Sequence, residues 1–133
     1  MSEFDRKLSQ LKADLNTQGS RVSDQLLRAV EASFDGNETE AKSVIKSDEV
    51  IDRVDVEIER ACINLLRMGA TEEHSIRSVL TIVKVNNELE RIADCAVNVA
   101  ESAIKHHKLV ASAPPTFRVM ANSVVGMARD TNY

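Results

Sequence analysis

Two pairs of carboxylates on long helical segments are the residues of this sequence best suited to chemistry. Asp48 and Asp52 lie in "SDEVIDRVDVEIE", and Glu90 and Asp94 lie in "NNELERIADCAVNVAE". A spacing of four residues places both members of a pair on one side of an α-helix, one turn apart. Three further oxygen-bearing residues fall on or beside the same faces: Asp55, Glu59 and Asn87.

The two pairs are also expected to lie at the same height. If the chain turns near residue 70, Asp52 is about 18 residues before the turn and Glu90 about 20 residues after it. Asp48 and Asp94 are about 22 and 24 residues from the same turn. At the rise of an α-helix this mismatch is only about 3 Å. We therefore expect the four carboxylates to converge between two antiparallel helices.

A cluster of ionised carboxylates in a partly buried place requires cations or protons, because removing each charge from water costs several kcal/mol. Oxygen-only ligands suit hard or borderline cations such as Mg²⁺, Ca²⁺, Mn²⁺ or iron, whereas zinc more commonly recruits His or Cys. The histidines lie elsewhere, at the start and end of the third helical segment: His74, His106 and His107. The pattern predicts a metal site formed by Asp48, Asp52, Glu90 and Asp94.

Other interpretations of the acidic residues remain open. Charged runs on helices are most often solvated faces with ordinary salt bridges, here from Arg21 or Arg28. Gln18 and Gln25 also interrupt the apolar stripe of the first helix, which fits a structural interaction module whose polar residues set the packing register. A carboxylate-bridged di-iron enzyme is disfavoured, because no Glu has a His three residues later. We therefore expect no enzymatic activity.

The elements that position the carboxylates are long helices. Apolar residues recur at intervals of three and four from Leu8 to Val30, which predicts the first helix. Gly36 ends it, and Asn37 followed by Glu40 forms a capping pair for the second. The second helix is predicted to end near residue 68. It is predicted to bury five residues: Val44, Ile51, Ile58, Cys62 and Leu65.

The third helix is predicted to run to about His107. Its apolar positions are taken as Ile76, Val79, Val83, Val97 and Ile104. Glu90 and Asp94 fall in line with these residues, so both acids are expected to interrupt the buried face. Cys62 and Cys95 are interpreted as buried small hydrophobic residues.

These segments predict an all-α fold, an elongated antiparallel three-helix bundle with a truncated fourth helix. Residues 1–107 form the bundle, and residues 108–115 form a linker in which Pro114 and Pro115 prevent helix continuation. Residues 116–133 form the incomplete fourth segment. Gly and Pro total only six residues and aromatic residues only 3%, which disfavours turn-rich β folds.

Composition also excludes some classes of partner. A net charge of -4 without a cluster of Lys and Arg argues against nucleic-acid binding. No apolar run approaches the roughly 20 residues that span a bilayer, so no membrane insertion and a cytoplasmic location are expected.

The two acidic stretches together resemble the PhoU family, whose repeats carry an acidic E/D-x-x-x-D signature on long helices. The matching residues are Asp48 with Asp52 and Glu90 with Asp94, and the similarity continues through Asn98 and Glu101. The resemblance implies a three-helix repeat, usually present twice per chain. Residues 116–133 then resemble the opening helix of a second repeat.

The same resemblance implies function. Some members of the family bind multinuclear iron or zinc clusters on the acidic motif. Members are cytoplasmic negative regulators of phosphate uptake that act on the ATPase of the phosphate ABC transporter and on a sensor histidine kinase. The resemblance thus implies a non-enzymatic adaptor. Apolar surface left uncovered by an incomplete second repeat leads us to expect a homo-oligomer.

Overall fold

Three long α-helices make up the part of the chain that the computed structural model describes, residues 2–69 and 71–111. They are α1 (Glu3–Asp35), α2 (Glu38–Arg67) and α3 (Glu73–Ala111), and each packs against both others. This confirms the predicted all-α three-helix bundle. α3 continues beyond His107, so the first four residues of the predicted linker are helical. The rest of that linker and the predicted fourth segment lie outside the described residues.

Short turns make neighbouring helices antiparallel. Gly36 ends α1 with φ of 65°, in the left-handed region that favours glycine. The next residue, Asn37, caps α2, because its side-chain oxygen accepts a hydrogen bond of 3.0 Å from the backbone N–H of Glu40. Gly69, with φ of 80°, follows the end of α2. The stop and start signals predicted between the first two helices are confirmed.

The core is a coiled-coil-like seam in which buried positions alternate at intervals of three and four residues. Contacts between Gln25 and Asp48 and between Asn86 and Asp55 fix the register of the three helices. If residues are counted along each helix from those contacts, apolar residues of the three helices fall at the same height and form layers. One such layer contains Val22, Ile51 and Leu89. The buried apolar residues predicted for the second helix are confirmed: Val44, Ile51, Ile58, Cys62 and Leu65.

The buried face of α3 differs from the predicted one. It runs through Val79 and Ile82 to Asn86 and Leu89, and continues with four alanines. Of the positions predicted to be buried only Val79 is, whereas Ile76, Val83, Val97 and Ile104 are half-buried. The prediction that Glu90 and Asp94 interrupt the core is therefore wrong, because both are exposed and flank it. The predicted face was displaced because the buried positions are occupied by weakly hydrophobic alanines, whereas more hydrophobic valines lie beside them.

Alanines line the seam where α1, α2 and α3 approach the first turn. Ala29 on α1 and Ala41 on α2 share one apolar cluster with Ala96, Ala100 and Ala103 of α3. Such small side chains let helix axes come close together, so this end of the bundle has little room for larger residues.

The two cysteines have different environments. Cys62 is buried, as predicted, but Cys95 is exposed, so the prediction that both are buried is wrong for Cys95. No helix within the described residues is both long and apolar enough to cross a membrane.

Candidate functional site

Two acidic residues occupy seam positions of α2. The seam passes through Val44, Asp48, Ile51, Asp55 and Ile58, at the same alternating spacing as the apolar positions. Asp48 and Asp55 are half-buried, whereas the apolar members are buried. The seam of α2 therefore carries two carboxylates between layers of aliphatic side chains, where each needs a polar partner.

Amide side chains from the other two helices supply those partners. Gln25 Nε2 of α1 donates a hydrogen bond of 3.1 Å to Asp48 Oδ1. Asn86 Nδ2 of α3 donates to Asp55 Oδ1 at 2.5 Å and to the Asp55 backbone oxygen at 3.2 Å. One polar layer, Gln25 with Asp48, thus lies on one side of the apolar layer that contains Ile51, and the other, Asn86 with Asp55, lies on the opposite side.

Asp52 lies one helical turn from Asp48, in the exposed groove between α2 and α3. Partial burial raises the pKa of Asp52 above its ordinary value of 3.8, and the negative charges of Asp48 and Asp94 raise it further. A hydrogen bond with the Asp48 carboxyl and the charge of Asp55 act in the same direction. Asp52 is therefore close to acidic groups of both helices.

Glu90 occupies the corresponding place on α3. The charge of Asp55 is the largest cause that raises the pKa of Glu90 above 4.5, followed by partial burial and the charge of Asp94. A hydrogen bond with Asp55 and the charge of Asp52 add to the effect. Carboxylates of α2 and α3 therefore face one another at one height, as the hairpin argument predicted.

The structure thus brings five of the seven candidate residues together: Asp48, Asp52, Asp55, Glu90 and Asp94. We call this group the acidic groove. Asn87 and Glu59 are exposed on α3 and α2. The charge of Glu59 acts on Cys62, where burial first and Glu59 second raise the pKa of the thiol to about 11.

Sequence reasoning missed the roles of Gln25 and Asn86. Gln25 was interpreted only as a residue that tunes packing, and Asn86 was not singled out. Both lie on the alternating spacing of their seams, opposite an Asp at the same layer. That coincidence of polar residues at seam positions of different helices is the signal in the sequence that identifies them.

Basic residues of α1 do not neutralise the acidic groove. Arg28 Nε forms an ion pair of 2.6 Å with Glu40, and Arg21 donates to Gln18 Oε1 at 3.3 Å. On α3, Arg91 pairs with Glu88 at 3.3 Å. Across residues 2–69 and 71–111, none of the ion pairs includes a member of the acidic groove. The salt bridge expected from Arg28 is thus made with Glu40 outside the groove, and Arg21 donates a hydrogen bond to an amide instead.

Chemically, the donor set fits a hard cation. It consists of carboxylate oxygens that form no ion pair among the described residues, and two buried amide oxygens, Gln25 Oε1 and Asn86 Oδ1, lack hydrogen-bond partners. Within the described part of the chain, however, no three or more His, Cys, Asp or Glu side chains are already gathered closely enough to hold an ion. Exposed Asp52, Glu90 and Asp94 would have to rotate toward a shared cation, which their exposure permits.

Comparison with known proteins identifies the bundle. The PhoU domain family model matches residues 15–103, which include all of α2, most of α1 and α3, and the whole acidic groove. No solved structure matches the chain at a significant level.

Individual relatives agree with that match. The chain is 36% identical over 101 residues to a protein of Thermotoga maritima named phosphate-specific transport system accessory protein PhoU homolog 1, covering 76% of this chain and 44% of the relative. A homolog from Aquifex aeolicus is 34% identical over 110 residues, covering 83% and 48%. The PhoU protein of Escherichia coli is 29% identical over 103 residues, covering 77% and 43%. The chain spans about half the length of these relatives.

Proposed function

Because this chain belongs to the PhoU family, we propose that it acts as a non-enzymatic regulator of phosphate transport and of phosphate-starvation signalling. Its relatives are named as accessory proteins of phosphate-specific transport systems. The partners proposed from the family are the ATPase of the phosphate ABC transporter and a sensor histidine kinase, met in the cytoplasm. The helical surface would serve as the docking face.

The acidic groove is proposed as a cation site within that regulator. One observation carries this proposal: Asp52 and Glu90, on different helices, each have several acidic neighbours and no ion-pair partner among the described residues. Asp48, Asp52, Glu90 and Asp94 would hold the ion, with Asp55 as a further ligand. The oxygen ligands favour Mg²⁺, Mn²⁺, Ca²⁺ or iron, and the family adds zinc.

A bound cation would connect the two helices that form the groove. Its charge removes the repulsion between α2 and α3, and shared coordination holds the two helices at a fixed separation. Any partner that docks on this face would then meet a different surface charge and a stiffer groove in the loaded protein. Cation binding is therefore proposed to regulate docking, while the chain itself catalyses no reaction.

The cation proposal is tested by elemental analysis of protein purified without chelator, followed by a Mn²⁺ titration of the metal-free form. We expect a stoichiometric metal and saturable Mn²⁺ binding. The double variant Glu90→Gln with Asp94→Asn should lose binding, because α3 then contributes no charged ligand. The matched control is Glu88→Gln, which removes an exposed carboxylate of the same helix that is paired with Arg91. Absence of metal and of Mn²⁺ binding in the unaltered chain contradicts the proposal.

The adaptor proposal needs a separate measurement. The purified phosphate transporter ATPase of the same organism is immobilised, and binding of this chain is recorded with and without Mn²⁺. We expect specific binding that changes with the cation in the unaltered chain and does not change in the Glu90→Gln, Asp94→Asn variant. Failure to bind the ATPase both with and without Mn²⁺ rejects the proposed adaptor role at the transporter, whether or not the chain binds the metal.

Self-association is proposed from exposed apolar side chains near the second turn. Ile63 and Leu66 of α2 share a helix face with Asp52, and Leu80 of α3 shares one with Asp94. All three are more than 40% exposed. This patch continues the acidic groove toward the turn, and a second copy would remove it from water. Light scattering should give the mass of a dimer, reduced to that of a monomer in Ile63→Ser with Leu80→Ser.

A structural interaction module without metal is the second candidate. Two observations favour it: Asp52, Glu90 and Asp94 face solvent, and no coordination group is preformed among the described residues. In that case Gln18, Gln25 and Asn86 would only fix the register of the bundle. The Mn²⁺ titration separates the two candidates, because the module predicts no saturable binding and the regulator predicts binding that depends on Glu90 and Asp94.

A further inference from the structure

We propose that Gln25 and Asn86 are positioning residues of the acidic groove, buried amides that hold Asp48 and Asp55 in place so that each keeps one carboxylate oxygen for a cation. This inference rests on the proposed cation site and adds to it two residues outside the E/D-x-x-x-D pairs. Neither amide has to contact the ion. Their effect passes through the carboxylates to which they donate.

Gln25 is the clearer case. Only 1% of the residue is exposed, and its Nε2 donates to Asp48 Oδ1 at 3.1 Å. Its other polar atom, Oε1, is buried and has no hydrogen-bond partner. A buried acceptor without a partner destabilises a fold. The oxygen of Gln25 therefore adds nothing to the stability of the fold, and the one hydrogen bond of its amide is to a residue of the groove.

Asn86 repeats the arrangement one layer away. It is 3% exposed, and its Nδ2 donates to both the side chain and the backbone oxygen of Asp55. Its Oδ1 is buried without a partner. Two amides from different helices thus share three features: they are buried, they donate to a half-buried carboxylate of α2, and they leave their own oxygen unpaired.

Gln18 shows what a buried amide looks like when it serves packing alone. It is as buried as Gln25, at 1% exposed, and lies two turns away on the same seam. Its Nε2 donates to the backbone oxygen of Ile51 at 2.8 Å, and its Oε1 accepts from Arg21 at 3.3 Å. Both ends are satisfied and neither touches the acidic groove. Gln18 is therefore a matched control within the same helix.

A carboxylate held by a hydrogen bond binds a cation better than a free one, because it loses less side-chain freedom on binding. The oxygen that does not accept the hydrogen bond stays available to the cation. Hydrogen-bond partners behind metal ligands typically change metal affinity by about 10- to 100-fold. Asp48 and Asp55 are anchored in this way, whereas Asp52, Glu90 and Asp94 are exposed. The groove thus combines two fixed acids, two helical turns apart on α2, with three acids that can move toward either of them.

The experiment compares Gln25→Met and Asn86→Ala with the control Gln18→Met, using the full chain. Free Mn²⁺ is followed by electron paramagnetic resonance, and the thermal midpoint is measured without cation. We expect the dissociation constant for Mn²⁺ to rise about 10- to 100-fold in Gln25→Met and Asn86→Ala, and less than twofold in Gln18→Met. The thermal midpoint should fall more in Gln18→Met than in Gln25→Met. Gln18→Met removes two satisfied polar atoms, whereas Gln25→Met also removes a buried oxygen that has no hydrogen-bond partner.

Three results overturn the inference, and the first two are distinguishable from the third. If the unaltered chain binds Mn²⁺ and both test variants bind it equally well, the amides are structural and the cation site stands. A loss of affinity in Gln18→Met equal to that in the test variants leads to the same conclusion. If the unaltered chain binds no Mn²⁺, the cation site and its positioning residues fail together.

Discussion

Asn86 Nδ2 of α3 donates a 2.5 Å hydrogen bond to Asp55 Oδ1 of α2, and Asp55 is also the residue whose charge contributes most to raising the pKa of Glu90. One carboxylate thus joins the buried seam to the exposed groove. A change of charge in the groove therefore reaches the packing between α2 and α3 through Asp55. This connection makes the acidic groove part of the bundle's own energetics and not only a surface feature.

Neutralising the groove should stabilise the metal-free protein at neutral pH. Because the pKa of Asp52 and of Glu90 is raised by the fold, the folded chain holds more protons than the unfolded chain above their ordinary values of 3.8 and 4.5. The free energy of unfolding therefore falls as pH rises through the window from these values to the raised ones. Asp52→Asn and Glu90→Gln should each add up to about 1 kcal/mol at pH 7, the range for exposed charge pairs.

Urea unfolding at a series of pH values checks this prediction. The gain should disappear below the ordinary pKa values, where the carboxyls are protonated in both states. Glu88→Gln, which breaks an exposed pair with Arg91, should give no gain at any pH. A loss of stability at pH 7 in both groove variants would show that the acids are paired in a way the structure does not describe.

Two glycines should respond in opposite ways to alanine. Gly19 lies inside α1, and a methyl group added there would meet no atom within 4 Å. Gly19→Ala should therefore stabilise the bundle by about 1 kcal/mol through helix propensity. Gly36, with φ of 65°, requires a left-handed backbone, so Gly36→Ala should cost about 1 kcal/mol. Thermal unfolding of both variants gives the comparison, and shifts of equal sign would contradict the assignment.

The cysteines should differ in reactivity toward a thiol reagent. Cys62 is buried, and its burial and the charge of Glu59 raise its thiol pKa to about 11, so little thiolate exists at pH 7.5. Cys95 is exposed. Native protein should react once with Ellman's reagent on a fast time scale, and Cys95→Ser should abolish that phase. A fast phase that persists in Cys95→Ser would place Cys62 at the surface.

The alanine-lined end of the seam should not accept a larger residue. Ala100 is fully buried in the cluster that also contains Ala29 and Ala41. Ala100→Leu adds three carbon atoms to a packed space and should lower the free energy of unfolding by about 1–3 kcal/mol. The exposed neighbour Glu101 provides the control, because Glu101→Leu should change stability far less. Urea unfolding of the two variants measures the difference.

Much of the fold follows from local signals. Leucine and isoleucine spacing marks the buried faces of α1 and α2, and Gly36 with Asn37 marks the turn between them. The common height of Asp52 and Glu90 also follows from sequence, because helices of known rise joined by a short turn leave little freedom of register. These features depend on residues close together in the chain, which is why they could be predicted.

The polar partners of the groove depend on contacts between distant residues and were not predicted. Asn86 pairs with Asp55 from 31 positions away, and Gln25 with Asp48 from 23. On α3 the true seam is formed largely by alanines, whose weak hydrophobicity shifted the predicted face toward Val83 and Val97. Because of that shift, Glu90 and Asp94 were predicted to lie in the core, and Asn86 was not recognised as a buried position. Which cation binds also could not be predicted, because the coordination depends on how the side chains of Asp52, Glu90 and Asp94 rotate after folding.

Anomalous X-ray scattering from crystals of the Mn²⁺-loaded protein tests the central claim most directly. We expect an anomalous peak between α2 and α3, with at least one oxygen ligand from Asp48 or Asp52 and at least one from Glu90 or Asp94, at the distances typical of Mn²⁺. The same crystals of Glu90→Gln with Asp94→Asn should show no peak there. A peak only at other positions, or none at all in the unaltered protein, would contradict the claim that the acidic groove is a cation site.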